Sequence, residues 1–202
     1  MELSTRFDEA LVFASRLHAR QKRKGSGIPY ISHLLSVAAL VLENGGDEDE
    51  AIAALLHDAI EDQGGDTTRQ EIRLRFGETV VAIVNGCTDT DGTPKPPWQA
   101  RKEAYIAHLR TAPPSILLVS AADKLHNLRS LCADYPLAGE DLWLRFKTGK
   151  EGTLWYYRAL VEVYQAQYPT PLTEELARTF ATLESMVATA PHSLPSSTSE
   201  LS

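Results

Sequence analysis

Cysteine is nearly missing from this chain of 202 residues: Cys87 and Cys132 are the only two. Two cysteines make no disulfide framework, and their apolar neighbours predict buried free thiols in a reducing compartment. Long apolar runs are missing too, which excludes a membrane-spanning helix. The N-terminal "MELSTRFDEA" has early acidic residues and no continuous apolar stretch, so no secretory signal is expected. Positive charge is in deficit, with a net charge of −7. That speaks against general nucleic-acid binding but leaves room for a local basic pocket. Strand-like alternation hardly occurs, and no internal repeat is evident.

Helical periodicity fills most of the chain, punctuated by Gly, Pro and polar caps. Ser4 is placed to cap a helix that shares Phe7, Leu11, Ala14 and Leu17 on one face. Ser32 is read as the cap of the next helix, which stops at Gly45-Gly46. Asp47 with Glu50 forms a capping-box signature for a third helix that ends at Gly64-Gly65, and Thr68 with Glu71 forms another. A helix through "ETVVAIVNGC" follows, then the turn-rich loop "TDTDGTPKPP". Helices are expected over 98–111, 114–134, 141–148, 152–167 and 172–189. The expected architecture is a single all-α domain over 1–189. The tail 190–202, "PHSLPSSTSELS" with the alanine-proline junction before it, has little to bury and is expected to be disordered.

The segment "ALLHDAIEDQGGD" carries the first chemical signal. On a helical wheel His57, Asp58, Glu61 and Asp62 fall within an arc of about 140°. Ile52, Leu55, Leu56, Ala59 and Ile60 keep the opposite side apolar. A solvated polar face is one reading. Against it, three carboxylates at a helix C-terminus oppose the macrodipole and repel one another at i, i+3 and i, i+4 spacing. A cation would relieve both, and His with Asp is a mixed N/O donor set suited to a divalent transition metal. The His-Asp pair alone leaves both readings open. "LLVSAADKLHNLRS" adds Asp123 within an apolar run, where a lone carboxylate costs several kcal/mol and needs a partner. Lys124 is judged a poor partner because it points about 100° away on the helix. Asp123, Asn127 and Ser130 share a face at i, i+4, i+7. "PYISHLLSVAALV" places His33 at a helix start.

Taken together, His33, His57-Asp58 and Asp123 resemble the H…HD…D pattern of HD-domain metal-dependent phosphohydrolases. "HARQKRKGSGIPYISH", "ALLHDAIED", "RFGETVVAIVNGCTD" and "SAADKLHNLRS" resemble, in that order, the hydrolase domain of RelA/SpoT-type alarmone enzymes. The match spans roughly residues 5–165 and is nearest to the stand-alone small alarmone hydrolases, with no room for a synthetase domain. The resemblance implies a single HD-domain helical bundle of about eight to ten helices. It implies His33, His57, Asp58 and Asp123 as ligands of a metal, Mn²⁺ in most of that family. Glu61 and Asp62 match the Glu-Asp pair associated with hydrolysis and are expected to orient and deprotonate the attacking water. Arg23 and Lys24 match a substrate-contacting Arg-Lys pair, Asn127 a substrate-contacting Asn, and Ser130 lies where a Thr often stands. Arg145, Lys147 and Lys150 are candidates for the distal phosphates, or else ordinary surface cations.

The implied reaction removes the 3′-pyrophosphate of ppGpp or pppGpp, giving GDP or GTP and pyrophosphate. Adenosine alarmones (pApp, ppApp, pppApp) or the 2′-phosphate of NADPH are the alternative substrates, and a non-catalytic nucleotide sensor is the alternative from another class. The partner is a small nucleotide, with neither nucleic acid nor membrane expected, in the cytoplasm. Oligomeric state is not legible. Three departures from the pattern stand out. The loop between Lys24 and Pro29 is short. His126 takes a place where relatives often carry Tyr. His18 and His108 have no motif role and are read as structural or exposed, and Tyr30 is read as a packing residue.

Overall fold

The computed structural model describes residues 2–90, 92 and 94–189, so the tail expected to be disordered lies outside the described residues. Among them are ten α-helical segments and no strand. In chain order these are α1 (Thr5–Leu17), α2 (Ile31–Glu43), α3 (Glu48–Leu56), the single turn α4 (Ala59–Asp62), α5 (Asp66–Phe76) and α6 (Glu78–Cys87). They continue with α7 (Trp98–Leu109), α8 (Pro114–Ala138), a 3-10 segment at Gly139–Arg145, α9 (Gly149–Gln167) and α10 (Pro171–Thr189). The all-α expectation is met.

The centre of the bundle follows from composition. Every residue from Ala51 to Leu56 is fully buried, so this stretch of α3, beyond its acidic first turn, is apolar all round and must be surrounded. It packs on α1, α2, α6 and α8. The 25-residue α8 is the other central element, set against α2, α3, α6 and α10. Gly86 permits the α6–α8 approach, because a Cβ there would stand 2.1 Å from Ile116 Cδ1. Buried hydroxyls are chained rather than orphaned: Ser120 Oγ lies 2.7 Å from Tyr105 Oη and 2.6 Å from Tyr164 Oη.

Some local expectations hold and others fail for local reasons. Ser4 caps α1 through the Arg6 amide, and the Asp47–Glu50 capping box is complete. Ser32 does not cap α2. It lies inside the helix and its hydroxyl donates to the Pro29 carbonyl. Thr68 likewise lies inside α5 and donates to the Gln63 carbonyl at 2.7 Å. Both hydroxyls satisfy carbonyls left by the preceding turn instead of helix amides. The third helix breaks at His57-Asp58, well before the Gly pair, and resumes as the turn α4. The segment after Ala138 is 3-10 rather than α-helical. Cys87 and Cys132 are free, as expected, but half-buried rather than buried.

Candidate metal centre in a cationic cleft

The break between α3 and α4 builds the centre of the site. His57 ends α3 with its ring buried, and its Nδ1 lies 2.8 Å from the Ala54 carbonyl. A carbonyl only accepts, so Nδ1 carries the proton and Nε2 turns inward. Asp58 takes a backbone conformation near the helix edge (φ −98°, ψ 0°) and starts α4. The first turn of α2 adds His33, which is 1% exposed, and the middle of α8 adds Asp123. His57 Nε2 lies 3.0 Å from Asp58 Oδ2 and 3.7 Å from Asp123 Oδ1. His33 Nε2 lies 3.2 Å from Asp123 Oδ1 and 3.8 Å from Asp58 Oδ2.

These side chains come together from α2, the α3–α4 break and α8, with Asp123 entering through its Oδ1 beside the two Nε2 atoms. Donor atoms of His33, His57 and Asp58 lie within 4.8 Å of one another, a spacing that could hold a metal ion. Both Nε2 atoms are buried and lack an aligned hydrogen-bond partner. Two inward-facing imidazole nitrogens among carboxylate oxygens make a donor set that fits a divalent cation. Tyr30, read as a packing residue, does more: its hydroxyl donates to Asp58 Oδ2. That leaves Asp58 oriented from outside the cluster.

Electrostatics supports the same point. Burial works against ionising Asp58, yet the neighbouring His57 charge holds its carboxyl below the usual range. Burial also opposes ionising Asp123, and Lys124 foremost, with both imidazoles, holds it well below. Burial lowers His33; for His57 the two carboxylates outweigh burial and favour its charged form. Lys124 corrects the helical-wheel expectation: its ammonium donates to Asp123 Oδ2. The long flexible stem reaches back across an angle that a short side chain could not span. His57 and Lys124 thus place positive charge beside the Asp58 and Asp123 carboxylates.

Asp58 and Asp123 of the cluster line a cleft of about 820 Å³. Nine lysine and arginine side chains line it against six carboxylates, in a chain of net charge −7. Glu61 and Asp62 reach the cleft from α4, and neither stands free. Lys95 Nζ lies 2.9 Å from Glu61 Oε1, and Gln21 Nε2 donates to Asp62 Oδ2 at 2.7 Å. Arg23 and Lys24 arrive on a tight hairpin closed by the Lys22–Pro29 bridge. Arg23 Nη2 donates to Asn127 Oδ1 at 2.9 Å and approaches Ser130 Oγ at 3.4 Å. Asn127 in turn donates to Asp123 Oδ1 at 2.5 Å, so one chain of bonds runs from the hairpin to the cluster. Gly25 (φ +84°) lets the hairpin close on Arg145, whose side-chain carbon a Cβ would meet at 2.5 Å.

Lys147 lines the cleft and Lys150 does not. Lys150 stands at the start of α9, paired with Glu140 Oε2 2.9 Å away. Several cleft residues escaped the sequence reading. Lys95 comes from the loop "TPKPP", which reads only as turn chemistry. Arg101 and Lys102 on α7 are both clamped 2.6 Å from Asp89 Oδ2, and Lys102 lies over the Tyr156 ring. The adjacent Arg-Lys pair twelve and thirteen residues after Asp89 was the available signal. His18, with no motif role, is buried and bonded to Gln21.

A helical bundle with His and Asp donors converging from three elements defines an HD-domain protein. The family described as HD domain matches residues 10–144, and the chain belongs to it. Among curated proteins it is 43% identical over 126 residues to the Xenopus tropicalis guanosine-3′,5′-bis(diphosphate) 3′-pyrophosphohydrolase MESH1, covering 61% of this chain and 68% of that one. It is 40% identical over 122 residues to the Aquifex aeolicus guanosine-3′,5′-bis(diphosphate) 3′-pyrophosphohydrolase, covering 60% of this chain but only 17% of that longer protein. A solved structure titled as a metazoan ortholog of SpoT that hydrolyzes ppGpp superimposes with a TM-score of 0.75 at 25% identity. That match covers 90% of this chain and 97% of the other. The crystal structure of lmo0812 from Listeria monocytogenes matches with a TM-score of 0.66 at 29% identity, covering 77% and 99%. These relatives bear out the resemblance read from the motifs.

Proposed function

We propose that this chain is a metal-dependent hydrolase that removes the 3′-pyrophosphate of guanosine alarmones, converting ppGpp or pppGpp to GDP or GTP plus pyrophosphate. The observation that carries the proposal is the gathering of His33, His57, Asp58 and Asp123, the two carboxylates opening on a cationic cleft, in a chain whose relatives bear that activity in their names. These four residues would hold a divalent ion, with Mn²⁺ the ion we favour. When bound, it supplies positive charge against the phosphate and makes an attacking water more acidic. Two imidazoles with two carboxylates suit an ion that keeps further positions open.

The chain's own groups do the rest. Glu61 and Asp62, one turn beyond the ligands, orient the water, and one of them takes its proton. The water oxygen bonds to the phosphorus next to the ribose O3′. The bond from that phosphorus to O3′ breaks, and its electron pair returns to O3′, which takes up a proton. Arg23, Lys24 and Lys147 hold phosphates, with Asn127 and Ser130 fixing the Arg23 guanidinium. The reading makes the substrate a small nucleotide. Among the described residues no helix is long and apolar enough to cross a membrane. Two unpaired cysteines support the cytoplasm as the place of work. The test is alanine at Asp58 or Glu61: turnover of ppGpp should vanish while helical circular dichroism stays near the unaltered protein's. Unchanged turnover in either variant would refute the assignment.

A further inference from the structure

We propose that His126 is a positioning residue for the metal centre, accepting the Nδ1 proton of His33 so that Nε2 is the nitrogen offered to the cation. The inference rests on the metal-centre reading above and extends it to a residue outside the ligand set. Its basis is an asymmetry between the two buried imidazoles. His57 is set by the backbone, since its Nδ1 faces the Ala54 carbonyl. His33 has no carbonyl in that place. Its Nδ1 lies 2.8 Å from His126 Nδ1, and the two rings lie with centroids 4.8 Å apart.

Two ring nitrogens that face each other hold one proton between them: one donates and the other accepts. Only one arrangement leaves the His33 Nε2 lone pair free for a cation. The proton sits on His33 Nδ1, His126 Nδ1 accepts it, and the proton of His126 sits on its own Nε2. Asp123 and His126 are three residues apart on α8, so one helix face grips both sides of the His33 ring. Asp123 Oδ1 stands 3.2 Å from Nε2, while His126 holds Nδ1. His126 also lines the cleft, so its second nitrogen has room to keep a proton. Outer partners that fix a ligand's tautomer commonly change metal affinity 10- to 100-fold when removed.

The test is Mn²⁺ binding, followed by the electron paramagnetic resonance of the free ion during titration of the whole chain without nucleotide. His126→Phe keeps a ring and removes the acceptor. His126→Asn places an amide oxygen about where Nδ1 stands, and His126→Gln carries it one bond farther. Affinity should fall about 10- to 100-fold for the Phe and Gln variants and stay within about threefold for the Asn variant. The metal-free melting temperatures should not follow that order. Mn²⁺ affinity unchanged in both Phe and Gln variants, or equally weakened in Asn, overturns the role of His126 alone. Should the Phe variant not fold, the Asn–Gln comparison decides. Absence of Mn²⁺ binding by the unaltered chain overturns the metal centre and this inference with it.

Discussion

Replacing Asp89 by Asn tests how the cationic wall of the cleft is held. The Asp89 side chain is 7% exposed, and a single oxygen, Oδ2, takes both Arg101 and Lys102 at 2.6 Å. At that distance and an effective dielectric of about 20, each pair is worth roughly 6 kcal/mol of attraction before desolvation is subtracted. Asn keeps the shape and removes the charge, which strands Lys102 over the Tyr156 ring. Breaking a buried pair from one side costs about 3–5 kcal/mol. Both cations keep some contact with water, so the expected loss lies at or below the low end of that range, about 2–3 kcal/mol. For a chain of this size that is a fall of roughly 5–10 °C in melting temperature. The pH dependence has a fixed sign. Burial opposes ionisation of Asp89, but Lys102 and Arg101 hold its carboxyl below the usual value. A depressed carboxylate stabilises fully above its unfolded pKa, about 3.9, and that contribution is lost as pH falls through the lower folded value. The gap between the two proteins should be constant from pH 7 to about 5 and close in more acid solution. Thermal melts by circular dichroism across that range measure it. A loss below about 0.5 kcal/mol, or a gap that persists unchanged into acid, refutes the reasoning.

Gly86→Ala should destabilise by about 1–3 kcal/mol, since its Cβ would stand 2.1 Å from Ile116 Cδ1; a urea unfolding series checks this. Lys147→Ala should raise the KM for ppGpp several-fold, whereas Lys150→Ala should leave it unchanged because Glu140 holds that ammonium outside the cleft. Steady-state kinetics on the pair separates them. Tyr30→Phe removes the hydroxyl that orients Asp58, and is expected to weaken Mn²⁺ binding about tenfold with helicity intact, as read by the same spin-resonance titration.

How much could be read in advance depended on whether a residue's role is local in sequence. The amphipathic period placed α1, α2, α6, α9 and α10, and the Asp47–Glu50 box placed the start of α3. The four proposed ligands were legible only as a set: the His57-Asp58 pair alone left a solvated face open, and the ligand roles came with the resemblance to the HD-domain pattern. The residues that were missed act across the fold. Lys95 reaches Glu61 over 34 positions, and a loop of Pro, Thr and Gly gives no hint of it. Ser32 and Thr68 fit cap signatures, but nearby carbonyls competed for their hydroxyls. The break at His57-Asp58 also left no mark in the periodicity. A continuous helix and a kinked one present nearly the same wheel over six residues, and tertiary packing decides between them. Lys124 and Lys150 show the limit for long cations: the stem lets the ammonium find whichever carboxylate the fold brings near.

The most direct test of the central claim is product analysis by chromatography after incubating the purified chain with ppGpp and Mn²⁺, and again after EDTA. GDP and pyrophosphate in equal amounts, formed with Mn²⁺ and absent after chelation, are the predicted result. Intact ppGpp beside a chain that demonstrably binds Mn²⁺ would contradict the guanosine alarmone assignment, and product that is indifferent to EDTA would contradict the metal centre.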